Sequence, residues 1–279
     1  MLKLGWRRLL STLVVPPLLF TLSCSSEPTE VAGGPVEPFE PAIEGIDDEA
    51  DRVLRQMSEF LAGAAAFRFQ ADLLVEDVLD TGQKLQFGET VSGIVRRPDR
   101  LVVQRSGDVM ARTIVYDGTK VSLFDETELV YATVDVPGTI DGMLDYMADQ
   151  YGVTIPIADF LFSAPYEALV EEGAAGHYVG RHDVAGVACH HIAVSQEAID
   201  WQIWIEAGER PLPRKLVITY KHEVSAPQFI AVLTDWDLSP GVPDDAFVFD
   251  PPEGVEQIEF TPFPTAEWQE RAQDEGRTQ

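Results

Sequence analysis

Apolar residues recur at helical spacing in IDDEADRVLRQMSEFLAG, where Ile46, Ala50, Val53, Leu54, Met57, Phe60 and Leu61 mark one face and Asp47 stands where an N-cap is needed. The period then switches to two. In AFRFQADLLVED, Phe67, Phe69, Ala71, Leu73 and Val75 alternate with mostly polar residues, the pattern of a half-buried strand. TVSGIVRR, RLVVQRS, ARTIVYDGTKVSLFD and ELVYATVDV continue as strands, and Asp117-Gly118 between two β-rich runs predicts a type I′ hairpin. A helical stripe returns in TIDGMLDYMADQYG, through Ile140, Met143, Leu144, Met147 and Tyr151. IPIADFLF and PYEALVEEG follow as shorter apolar pieces beginning near prolines. Strands then resume with GHYVGRHD, VACHHIAVS, AIDWQIWIEA, RKLVITYK and QFIAVLTDWDL. The order helix, meander, helices, meander implies antiparallel pairing with the helices gathered on one face.

The ends of the chain read differently. Lys3, Arg7 and Arg8 precede an apolar run from Leu9 to about Leu22, the shape of a secretory signal and shorter than the ~20 residues a membrane span needs. The run ends Thr21-Leu22-Ser23-Cys24, which resembles a bacterial lipobox, in which the cysteine becomes the lipid-carrying first residue. The alternative is a plain secretory signal cleaved nearby, with Cys24 incidental. Ser25, rather than Asp, after the cysteine implies the outer membrane over the inner one, again by resemblance to proteobacterial lipoproteins. SSEPTEVAGGPVEPFEPAIEG then carries no apolar period and reads as a disordered tether. The expected organisation is a signal peptide over 1–23, lipidated cysteine and tether over 24–45, a single domain over 46–264, and a polar tail over 265–279.

Charge narrows the partners. The formal net charge is −27, and removing the signal takes away three cations and no acid. Such a polyanion lacks the Lys/Arg patches that neutralise nucleic-acid phosphates, so no nucleic-acid partner is expected. If Cys24 is acylated, Cys189 has no cysteine to pair with in the chain.

Two stretches carry a family resemblance. VAGVACHHIAVSQEAIDWQIWIEAGERPLPRKLVITYK, residues 184–221, resembles a family of predicted periplasmic proteins, domain-of-unknown-function family 2092. DDAFVFDPPEGVEQI, residues 244–258, is similar to the end of that family and of the LolA/LolB-like lipoprotein carriers. The resemblance runs from about Asp47 to Phe260. It implies an α+β fold: a strongly curved antiparallel sheet, an incomplete barrel, with helices packed over its concave face. In the better-known relatives that interior holds acyl chains.

Candidate chemistry is sparse. No G-x-S-x-G, H-E-x-x-H, P-loop or EF-hand pattern occurs, and neither an enzymatic activity nor a cofactor is expected. If Ala185-Gly186 is a two-residue turn, His182 lies opposite Cys189, while Cys189 and His191 share a strand face. These three are the candidate metal or thiol site, against the plainer reading of a buried structural cysteine. Phe69, Leu73, Met143, Met147, Phe160, Phe162 and Trp204 are the candidate lining of an apolar cavity beneath a helical lid. In AIDWQIWIEA, Trp201 and Trp204 fall on opposite faces, so one packs inward and the other serves a rim or partner. The expected function is a periplasmic, outer-membrane-anchored lipoprotein binding a hydrophobic, acyl-chain or lipid ligand. The alternative is an envelope-protein interaction module with a filled core.

Overall fold

The computed structural model describes residues 45–261, apart from 154 and 156. The signal peptide, Cys24, all but the last residue of the tether and the polar tail lie outside the described residues.

The first element is α1, Asp48–Ala62. Asp47 caps it, its Oδ1 accepting from the Ala50 N–H at 2.7 Å, and its buried stripe includes Ala50, Val53, Leu54, Met57 and Leu61. Six strands follow as a meander: β1 Ala66–Val78, β2 Lys84–Arg96, β3 Arg100–Gly107, β4 Ala111–Tyr116, β5 Lys120–Asp125 and β6 Val130–Asp135. An inserted segment then carries α2 Ile140–Tyr151, a 3-10 turn at Ala158–Phe160 and α3 Pro165–Leu169. The second meander is β7 Ala175–Val184, β8 Val187–Ser195, β9 Ile199–Glu206, β10 Pro213–Tyr220 and β11 Gln228–Asp237. A short β12, Glu256–Gln257, follows a 3-10 turn at Asp244–Phe247.

Among the described residues twelve strands form one sheet in the order β12-β6-β5-β4-β3-β2-β1-β11-β10-β9-β8-β7. The two meanders join at its middle, where β1 pairs with β11 in the register Asp72↔Val232. Pairing is antiparallel throughout except for β12, which runs parallel to β6. The sheet does not close, because β12 and β7 are its two edges. Its inner face is apolar: Phe67, Phe69 and Leu73 of β1 join Trp201 and Ile203 of β9, the stripe of α1, and Met143 and Met147 of α2 in one continuous core. Residues from both wings and the helices between them meet in that core only if the sheet curves around it.

The outer face is mostly solvated but has its own apolar patch. Phe247 covers Val102 and Val115 there, with Ile94, Val242 and Phe249 around them.

Two local features differ from the sequence pattern. The β4–β5 hairpin forms, yet Gly118 is followed by a residue of ordinary φ, whereas a type I′ turn needs two positive values. Asp117 instead spends its carboxylate on the Thr119 and Lys120 N–H groups, both at 2.8 Å, which centres the turn on Gly118-Thr119. The parallel β12 was not legible, since two polar residues carry no period.

Candidate functional site

The inserted helices form a cover over the inner face, fastened at both wings. On the β1–β6 wing, Arg97 donates to the Leu161 and Phe162 carbonyls at 2.8 and 2.9 Å, and the Tyr116 hydroxyl donates to the Pro137 carbonyl at 2.6 Å. Burial lowers the Arg97 pKa, and its Nε is buried with no hydrogen-bond partner among the described residues. On the other wing, the Trp201 indole donates to Gln196 at 2.7 Å, and Gln196 donates to the Leu169 carbonyl at 3.0 Å. The Tyr166 hydroxyl donates to Asp51 of α1, and the Tyr166 N–H donates to Ser58 Oγ at 3.0 Å.

Phe69 and Leu73 of the sheet lie under this cover and Met143, Met147 and Phe160 are its own inward side chains, all between 0 and 3% exposed. Phe162 is partly buried against the same core. These six share one apolar interior. Trp204 does not belong with them, and its assignment to the cavity lining is corrected. β9 alternates, so Trp201, Ile203 and Ile205 point into the core while Trp204 points out of the opposite face.

Trp204 instead belongs to an open groove of about 570 Å³ on that outer face, lined also by His182, Val184, His191, Lys215 and Val232. The register that builds it starts at the β7–β8 turn. Ala185 and Gly186 both have positive φ, which makes a two-residue turn pairing Val184 with Val187. Counting back, His182 faces Cys189 and Gly180 faces His191. His191 in turn faces Trp204 on β9, and Trp204 faces Lys215 on β10.

The His191 ring lies flat on the Trp204 indole, centroids 4.0 Å apart at 12°, and the Lys215 ammonium sits 4.6 Å from the same indole. Because β8 and β10 flank β9, the indole stands between imidazole and ammonium. His191 is 9% exposed, its Nε2 is 3.0 Å from Gln202 Oε1, and its Nδ1 is 3.2 Å from Nδ1 of the exposed His182. Cys189 shares the face but not the site. It is fully buried, its thiol donates to the Val187 carbonyl at 3.3 Å, and burial pushes its pKa up, which disfavours the thiolate that a metal or an electrophile would need. Among the described residues, no group of three or more His, Cys, Asp or Glu side chains is placed to hold a metal. Sequence reasoning missed Gln202 and Lys215. Their outward positions follow from strand alternation, but their meeting with β8 needs the cross-strand register.

The histidines make stability depend on pH. Burial lowers the pKa of His190 and of His191 below the ordinary imidazole value, and neighbouring cations push the same way. The folded chain therefore binds fewer protons at these sites than the unfolded chain. Their contribution is complete above about pH 6.5 and is lost as pH falls through the lowered folded values, at about 1.4 kcal/mol per unit of difference. In metal-free buffer, melting temperature measured from pH 7.5 to 5 should fall more steeply for the parent chain than for a His190→Gln/His191→Gln variant.

None of the curated proteins matches the chain. Several solved structures align with most of the chain. An uncharacterized conserved protein from Thermus thermophilus aligns over 76% of this chain and 99% of its own, at 8% identity and a TM-score of 0.44. The Mycobacterium tuberculosis lipoprotein LppX aligns over 71% and 100%, at 10% identity and 0.36. A LolA superfamily protein from Nitrosomonas europaea aligns over 72% and 97%, at 8% identity and 0.34. The family model described as "Predicted periplasmic protein (DUF2092)" matches residues 50–261, and the chain belongs to that family.

Proposed function

We propose that this protein is a non-enzymatic envelope lipoprotein, anchored to the outer membrane through Cys24, that takes up a hydrophobic, acyl-chain ligand between its curved sheet and its helical cover. One observation carries the reading: the apolar inner face of an unclosed sheet is shielded by α1 and by a separate inserted helical segment, not by further strands. A cover of that kind can part from the sheet without breaking a strand ladder. Met143 and Met147 suit this role, because an unbranched thioether repacks against many apolar shapes. Acyl chains would replace protein contacts with lipid contacts, so the interior stays dry in both states.

The test is to produce residues 46–279 in a bacterial periplasm, purify without detergent, and compare native with denaturing mass spectra and an organic extract. A stoichiometric acyl-chain species is the expected result. A chain still bare after incubation with phospholipid vesicles would end this reading. It would favour the second one, an interaction module for an envelope protein, which the near-complete burial of Phe69, Leu73, Met143 and Phe160 supports.

A further inference from the structure

The outer-face groove holds two imidazoles whose nitrogens point at one another. His191 is fixed in orientation by its stack on Trp204 and by Gln202. With Nε2–H donating to the Gln202 oxygen, the neutral ring presents the lone pair of Nδ1 towards His182. Gln202 holds one ring nitrogen, and the other is hydrogen-bonded to the His182 ring, so a metal ion would take the place of the proton the two imidazoles share.

The spacing agrees. Two Zn–N bonds of about 2.0–2.1 Å at a tetrahedral angle place their nitrogens about 3.3 Å apart. The two Nδ1 atoms are 3.2 Å apart. His182 is exposed and lies on the edge strand, so its ring can shift its proton from Nδ1 to Nε2 and offer Nδ1 as well. Lys215, the one ammonium lining the groove, sits 4.6 Å from the Trp204 indole, against which the His191 ring is stacked, and Asp183 lines the same groove with the opposite charge.

We propose that His182 and His191 form a two-histidine site for a late first-row divalent cation, Zn²⁺ or Cu²⁺, whose remaining coordination positions open into the groove. Imidazole is a preferred donor for both ions. Cys189 takes no part, because its thiol is turned to the Val187 carbonyl. Bound metal would tie edge strand β7 to β8 and leave positions for water or for a carboxylate of a partner. The site is on the face opposite the proposed acyl-chain interior, so its failure leaves that reading standing, and the converse holds.

The test is calorimetric titration of the full chain, purified without a histidine tag, with zinc chloride at pH 7.5. The expected result is one Zn²⁺ per chain, weakened at least tenfold by His182→Ala and by His191→Phe, the latter keeping a ring against Trp204. His222→Ala, in the exposed turn between β10 and β11, serves as the control and should change nothing. Melting curves establish that each variant is folded. No saturable binding by the parent chain overturns the proposal, and so does binding that survives both His182→Ala and His191→Phe.

Discussion

Arg105→Leu is expected to cost about 3–5 kcal/mol and to lower the melting temperature by roughly 6–20 °C. Arg105 pairs with Glu89 on the inner face, Nη2 to Oε1 at 2.8 Å, with side chains only 10% and 1% exposed. The cause is a carboxylate left behind. Glu89 is packed beside Gly107, where even a Cβ would come within 2.6 Å of its Cγ, so water has little room to replace the guanidinium. A charge buried without a partner is expensive, while an apolar pair of similar volume can be nearly neutral. The double variant Glu89→Leu/Arg105→Leu should therefore recover most of the loss. Thermal and urea denaturation of both decide the matter. If the double variant is no more stable than the single one, the pair is not what stabilises this end of the sheet.

The second large effect concerns Phe69 and Gly93. The Phe69 ring lies across the neighbouring strand at Gly93, where an added Cβ would fall 2.4 Å from its Cε1. Glycine there gives up strand propensity to admit the ring, which also packs on Trp236 with centroids 5.3 Å apart. Phe69→Ala should cost about 3–5 kcal/mol through the space it leaves. Gly93→Ala should cost about 1–3 kcal/mol through overpacking. Because the two residues touch, the effects should not add: Phe69→Leu/Gly93→Ala should be more stable than the sum of its single changes. Additive losses in equilibrium unfolding would mean that the ring has room to move aside.

Local pattern was enough for the elements and not for their meeting. Alternation from Phe67 to Val75 and the stripe from Ile140 to Tyr151 are read straight from the sequence, because each depends on a single segment's geometry. So is the Ala185-Gly186 turn, which places His182 opposite Cys189. The pairing of β1 with β11 carries no such mark, since it joins residues far apart in the chain. Trp204 shows the consequence for the site. Its face was evident from period two, yet which residues share that face depends on the order of strands. Phe247 and Phe249 were hidden for a related reason: the segment that carries them has no regular structure of its own beyond one short turn, and its place over Val102 is a tertiary contact. Arg97 gave no signal either, because its partners are backbone carbonyls, which every sequence offers.

The β1–β11 seam also bears on how the chain is made. Glu76 accepts from the Gln228 N–H across 152 residues, whereas most other ladders of the sheet connect strands next to each other in sequence. The first wing can complete its hairpins soon after it emerges, since short loops close at low entropic cost. One side of β1 then stays open until β11 has been synthesised. For that interval the nascent protein presents a long bare edge with Phe67, Phe69 and Leu73 beside it, the kind of template to which other extended chains attach. The rate at which the second wing follows the first therefore acts on yield through this seam, and slowed chain delivery should increase aggregation even when the finished fold is unchanged.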